Sequence, residues 1–354
     1  MEVAKGNSFL GSIFIGLILF IVSFFVLFIN EYIYVNSLKI ANFAEKNAIV
    51  TTSNSISPAN ENKLVHLTGQ AFSQETLTDS IISIPNAIAL FRDTEIYQWQ
   101  ELKKQNEDNS TKYEYRKIWS KYLINSSDFQ NKSYVNPSKM KYEELDLYAQ
   151  NVGFGNFYLS EYIIKNIKSR SKILQLPYSN NFKVYNGFYF TGQNYDNPAI
   201  GDQKLAYSYI PSGVKLSIIA KQSGNRLERM NSKFGDFAIV SSGTKNLKDM
   251  LTEYRNNSSN KTWIFRGIGL LLMLIGLNMM IMPIANIGGM IPILGQVTKF
   301  AAILSTFILT ISLGTITIAS GWLLFRPEIA IPLIIIAIFT IISLRKKKKI
   351  IIPE

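Results

Sequence analysis

His66 is the single histidine of a chain that contains no cysteine. Metal sites of the His/Cys type are therefore impossible, and a Ser/His/Asp relay would have to converge on this one ring. The alternating stretch around it, Lys63 to Gln70, reads as a strand. A hydrogen-bonded structural histidine is the simpler expectation, and an exported hydrolase or transferase using His66 is the sharper alternative. The pairs Asp93/Glu95 and Glu143/Glu144 could share acid–base work only if buried close together, so solvated surface charge is their default. No predicted strand is followed by GxxxxGK[ST] or GxGxxG spacing. No catalytic residue, cofactor or metal is assigned, and the chain is expected not to be an enzyme.

A second set of polar residues lies inside apolar sequence. Thr306, Thr310, Gly314, Thr317 and Gly321 recur at intervals of 4, 4, 3 and 4, which places all five on one helix face. Small residues let another helix approach, and hydroxyls there can add interhelical hydrogen bonds of ~0.6 kcal/mol each. Gly269 and Gly276 supply similar notches, and Asn278 sets an amide deep in an apolar run where it needs a partner. These eight residues are read as a helix-packing or oligomer interface. An ion or small-solute channel lined by the same helices is the alternative.

The elements that carry them are hydrophobic spans. Phe9 to Ile29 is uncharged, and its length at ~1.5 Å per residue matches a hydrocarbon core of roughly 30 Å. It is too long for a signal-peptide core of ~7–15 residues, and no small-residue cleavage site follows, so an uncleaved anchor is expected. Three further spans crowd the C-terminal part at 263–287, 300–325 and 329–344. The last two form a hairpin about Arg326, Pro327 and Glu328. No Asp, Glu, Lys, Arg or His lies within a span away from its ends, so neither a proton relay nor a buried ion pair is expected.

The fold class is thus a membrane protein with four transmembrane helices, one N-terminal and three C-terminal, and a large inserted α+β non-cytoplasmic domain at 30–262. Residues 1–8, the loop 288–299 and the tail 345–354 would be cytoplasmic. Orientation rests on Arg345, Lys346, Lys347, Lys348 and Lys349, five cations after the last span that the positive-inside rule keeps in the cytoplasm. They could also contact anionic lipid. The chain would then lie in a bacterial inner membrane with its domain periplasmic or extracellular, or luminal in a eukaryote. The domain's cations are scattered among Asn and Ser without a basic stripe, so nucleic acid is not an expected partner.

Within the domain, Ala87 to Glu101 and Tyr113 to Leu123 predict a long hairpin, with Tyr97, Trp99, Tyr113, Tyr115 and Trp119 forming cross-strand aromatic pairs. Asn156 to Ile173 predicts a helix. Short strands follow at Lys183 to Phe190, Lys204 to Ile210 and Val214 to Ala220, then a helix at Lys245 to Arg255 that leads into the second span.

Motifs spread along most of the chain resemble the LUMA family, also called the transmembrane protein 43 family. They are KLVHLTGQ at 63–70, EIYQWQE at 95–101, NPS at 136–138, GD at 201–202, LAYSY at 205–209 and IAKQSGNRL at 219–227. In the membrane they are TW at 262–263, GLNMM at 276–280 and the segment Ala319 to Pro327. The resemblance implies a multipass membrane protein that associates with itself and with other membrane proteins, without an enzymatic mechanism. A scaffold of the lipid bilayer that forms a homo-oligomer is the expectation.

Overall fold

The computed structural model describes residues 2–105, 110–178, 181–185, 187–288, 295–325 and 331. In chain order the elements begin with α1 (Glu2–Asn47), β1 (Ile49–Val50), β2 (Leu64–Phe72), β3 (Leu77–Thr78), β4 (Ser83–Ile84), β5 (Ala87–Gln105) and β6 (Thr111–Ser120). Next come β7 (Leu145–Tyr148), β8 (Gly153–Phe154), β9 (Phe157–Leu159), α2 (Glu161–Lys165), β10 (Ser171–Lys172), β11 (Lys183–Tyr185) and β12 (Phe188–Phe190). The series ends with β13 (Gln203–Pro211), β14 (Val214–Ser223), β15 (Arg226–Glu228), β16 (Ile239–Ser242), α3 (Leu247–Gly288) and α4 (Gly295–Phe325). These elements form two compact units. One is helical, drawn from Met1–Lys46 and Leu251–Glu354 with Lys233–Gly235; the other is β-rich, drawn from Asn47–Ser232 and Asp236–Met250.

Among the described residues three helices are long and apolar enough to cross a membrane: Leu10–Asn47, Leu247–Pro283 and Phe300–Phe325. The fourth span at 329–344, its hairpin turn and the basic cluster 345–349 fall outside the described residues, Ile331 excepted. α1 does not stop where its apolar run ends at Ile29. It continues to Asn47 because Ser37, Ile40, Ala41 and Ala44, at intervals of 3, 1 and 3, recur along one buried face, so an amphipathic pattern takes over from the uniformly apolar one. α3 likewise runs without a break from Leu247 through the expected linker into the apolar segment. The boundaries at 30 and 262 therefore lie inside helices.

Of the expected α+β domain the structure shows a β-rich unit. Among its described residues the one α-helix besides the first turn of α3 is the five-residue α2. The helix expected over Asn156–Ile173 is instead β9, α2 and β10, because Phe157 and Leu159 alternate inward from a strand and Gly155, at φ +61°, turns the chain between β8 and β9. One sheet has the order β1-β2-β8-β9-β15-β14-β16, and a further pairing of β2 with β14 closes the path on itself. A second has the order β11-β12-β13-β5-β6, with β10 beside β13 and β7 beside β5. The expected hairpin is β5–β6, in which Tyr97 pairs directly with Trp119. Val65 and Leu67 of β2 with Leu216, Ile218 and Ala220 of β14 join Ile88, Leu90, Leu205 and Tyr207 of the other sheet in one apolar core.

Candidate functional site

Long-range polar contacts in the helical unit give the register of its helices. Ser12 Oγ donates to Met279 O, Asn30 Nδ2 to Thr262 O, and Arg255 Nη2 to Asn42 and Glu45. As the residue number rises on α1 it falls on α3, so the two are antiparallel. The contacts run from Ser12 to Glu45, which at ~1.5 Å per residue is a length of roughly 50 Å. α4 runs alongside α1 in the same direction: Phe325 packs on Phe28 and Tyr32, and Lys39 Nζ donates to Phe325 O at 2.8 Å.

Where the three helices meet lies a charged cluster. Glu31 of α1 is fully buried. Its carboxylate accepts Arg266 Nε at 2.7 Å and Arg266 Nη2 at 2.8 Å from α3, and Trp322 Nε1 at 2.8 Å from α4. The two-pronged guanidinium contact fixes direction as well as charge, and the indole fills a further acceptor position on the carboxylate. Arg266 also stacks over Trp263, 4.7 Å from the ring centre. Gly321 admits this arrangement: a Cβ there would sit 3.0 Å from Glu31 Cβ. The expectation that no buried ion pair exists is thus corrected. Glu31 and Arg266 stand at the ends of two apolar runs, and antiparallel spans bring such ends to one level. That signal was present in the sequence, as was Trp322 within a family motif.

The expected helix-face residues fall at contacts among these helices. A Cβ at Gly276 would lie 2.7 Å from both Gly16 O and Phe20 N, and one at Gly269 would lie 2.6 Å from Leu27 Cδ2. Gly314 lies against Leu270. Asn278 Oδ1 accepts Thr306 Oγ1 at 3.3 Å while its Nδ2 donates to Leu274 O. Thr306, Thr310 and Thr317 are buried, and each hydroxyl donates to a carbonyl of its own helix three or four residues earlier. Hydroxyls so engaged do not favour a lining for a water-filled path.

The β-rich unit holds its polar residues in structural bonds. His66 is 3 % exposed and its Nε2 lies 3.1 Å from Lys245 O, so the proton sits on Nε2 and Nδ1 faces the interior without a partner. Burial lowers its pKa below the usual 6.5, against the smaller opposing effect of the Lys245 carbonyl. Asp93 pairs with Lys121 and Glu95 with Lys204 at the surface, and Glu143 and Glu144 are exposed. No cluster of three or more His, Asp or Glu able to hold a metal occurs among the described residues.

A buried pair that the sequence did not suggest is Asp79–Arg92. Asp79 Oδ2 accepts Arg92 Nη1 and the Tyr207 hydroxyl, each at 2.7 Å, while Oδ1 accepts the backbone N–H groups of Ile81 and Ile82. Burial and the neighbouring carboxylate push the Tyr207 phenol well above its ordinary range. Several family motifs have plain structural duties here. Asn136 of the NPS segment bonds both backbone groups of Trp99, Gly201 N donates to Tyr97 O, and Asp202 O accepts Tyr97 N. They cover the edge of β5 beyond Ile96, where its pairing with β13 ends. The open groove of about 490 Å³ beside α2 is lined by Glu161, Lys165, Lys221, Glu228 and Arg229, charges of both signs that select no ligand class.

Comparison with known proteins adds a family. The model of the family described as transmembrane protein 43 matches residues 96–327. The chain is 29% identical to transmembrane protein 43 of Rattus norvegicus and 30% identical to that of Pongo abelii, in each case over 95% of this chain and 90% of the relative. It is 24% identical to the transmembrane protein 43 homolog of Drosophila melanogaster, over 76% of each. No solved structure matches.

Proposed function

The chain belongs to the transmembrane protein 43 family and is an integral multipass membrane protein, and from that premise we propose that it is a non-enzymatic membrane scaffold. The observation that carries this reading is the Glu31–Arg266–Trp322 cluster, which ties three helices into one bundle through a fully buried carboxylate. A bundle held in that way resists separation of its helices, since removing one partner strands a charge. The small-residue faces around Gly276, Gly269 and Gly314 pack the bundle internally. Lipid-exposed surfaces such as Phe300, Ile303, Phe307 and Ile311 on α4 are left for contact with lipid, other membrane proteins or a second copy. The β-rich unit, inserted between α1 and α3, is the non-cytoplasmic part and engages further protein partners. The N-terminus is cytoplasmic, in keeping with the five cations at 345–349.

The test is photo-crosslinking in the native membrane from positions 303 and 307. Discrete protein adducts are expected. Adducts to lipid alone, from these positions and from the β-rich unit, would remove the scaffold reading.

A further inference from the structure

The apolar surface of the helical unit does not end where the charged cluster begins. Tyr32 and Ile33, beyond Glu31 on α1, are 49 % and 60 % exposed, while Trp263, Ile264 and Phe265, ahead of Arg266 on α3, are 65 %, 62 % and 50 % exposed. Leu324, beyond Trp322 on α4, is 64 % exposed. All three helices therefore continue to present large apolar side chains outward past the level at which Glu31, Arg266 and Trp322 bond to one another inside. The change to polar surface is abrupt on α3, where Asn260 and Lys261 are the exposed residues directly before the buried Thr262 and then Trp263. On α1 the next cation, Lys39, lies eight positions past Glu31, about 12 Å further along at ~1.5 Å per residue. It donates to the Phe325 carbonyl of α4.

We infer that this collar, Tyr32, Ile33, Trp263, Ile264, Phe265 and Leu324, is lipid-facing and continuous with the spans, so that the Glu31–Arg266–Trp322 cluster lies beneath the membrane surface. The occupant of the collar is the acyl-chain and glycerol-ester layer of the bilayer. Tyr32 and Trp263 suit that layer because each has an apolar ring and one polar hydrogen-bonding group. On α1 the boundary is thus not at Ile29, where charge first interrupts the sequence, but about one turn beyond, and on α3 it stays at the expected Trp263 even though Arg266 lies inside it. Those two charges can be drawn in because each neutralises the other and the indole satisfies what remains. The water-exposed part of the α1/α3 pair then begins near Lys261 and contains the Arg255–Asn42–Glu45 contact.

The absence of cysteine makes the test direct, since any introduced thiol is unique. The full chain is reconstituted in phosphatidylcholine vesicles as Ile33→Cys, Ile264→Cys and, as the water-exposed reference, Asn260→Cys. Each is labelled with a membrane-impermeant maleimide on both faces of the vesicle. Ile33→Cys and Ile264→Cys are expected to react at least about tenfold more slowly than Asn260→Cys, and to regain the reference rate in detergent-free urea after lipid extraction. Equal rates in the vesicles would place the collar in water and overturn the inference. A second readout, quenching of Trp263 fluorescence by lipids brominated along the acyl chain in a Trp99→Phe/Trp119→Phe/Trp322→Phe background, where Trp263 is the one remaining indole, should be strong. Quenching only by aqueous iodide would overturn it as well.

Discussion

Replacing Arg266 by Gln leaves the Glu31 carboxylate with no exposed surface and one remaining charge-assisted donor, Trp322 Nε1. The two guanidinium bonds lost, at 2.7 and 2.8 Å, are the ones that balance its charge. Breaking a buried pair by removing one partner costs ~3–5 kcal/mol, chiefly the penalty of the stranded charge. At ~1.4 kcal/mol per tenfold, the unfolding constant should rise by roughly a hundredfold or more. The double variant Glu31→Gln/Arg266→Gln removes both charges, so it should be less damaged than the sum of the two single variants by about 2 kcal/mol or more. The assay is equilibrium unfolding of the full chain in mixed micelles, titrated with dodecyl sulfate and followed by helical circular dichroism. Losses below about 1 kcal/mol, or strictly additive losses, would refute the claim that these groups form one buried interacting unit.

Gly276→Ala should lower bundle stability by ~1–3 kcal/mol, because its methyl would press on backbone atoms of α1, whereas Gly267→Ala, with open space at its Cβ, should be neutral or stabilising by the same unfolding assay. Asp79→Asn should cost ~3–5 kcal/mol in the β-rich unit by stranding Arg92, read as a lower midpoint of thermal unfolding detected by near-ultraviolet circular dichroism. His66 titrates lower when folded than unfolded, so the unfolded chain binds more protons, and stability falls as pH drops below about 6.5 toward the folded value. His66→Gln should flatten that part of the stability-versus-pH curve, and an unchanged slope between about pH 6.5 and 5 would contradict it.

What the sequence revealed depended on how local each signal was. The β5–β6 hairpin was legible because aromatic alternation sits on both arms of a short polar break, and β13 and β14 because apolar alternation lies between turn residues. The three apolar helices were legible by length alone. Hidden were the features decided across distance. Nothing local distinguishes the amphipathic continuation of α1 to Asn47 from the start of a soluble domain. Asn156–Ile173 carries apolar residues at a spacing that suits both a helix and a short strand beside a turn. Glu31 and Arg266 are 235 positions apart, and their pairing follows only from the antiparallel register of α1 and α3. The amides of Gln98, Asn136 and Gln203 look like surface residues in sequence, yet each is buried and completes backbone hydrogen bonds of loops or strand edges.

The scaffold reading stands or falls on whether the chain keeps company in its own membrane. The measurement is native mass spectrometry of the full chain extracted with its surrounding lipid in polymer nanodiscs. Masses of a homo-oligomer or of a stoichiometric complex with another membrane protein are expected. A bare monomer across a range of extraction conditions, with no second polypeptide at defined ratio, would contradict the account.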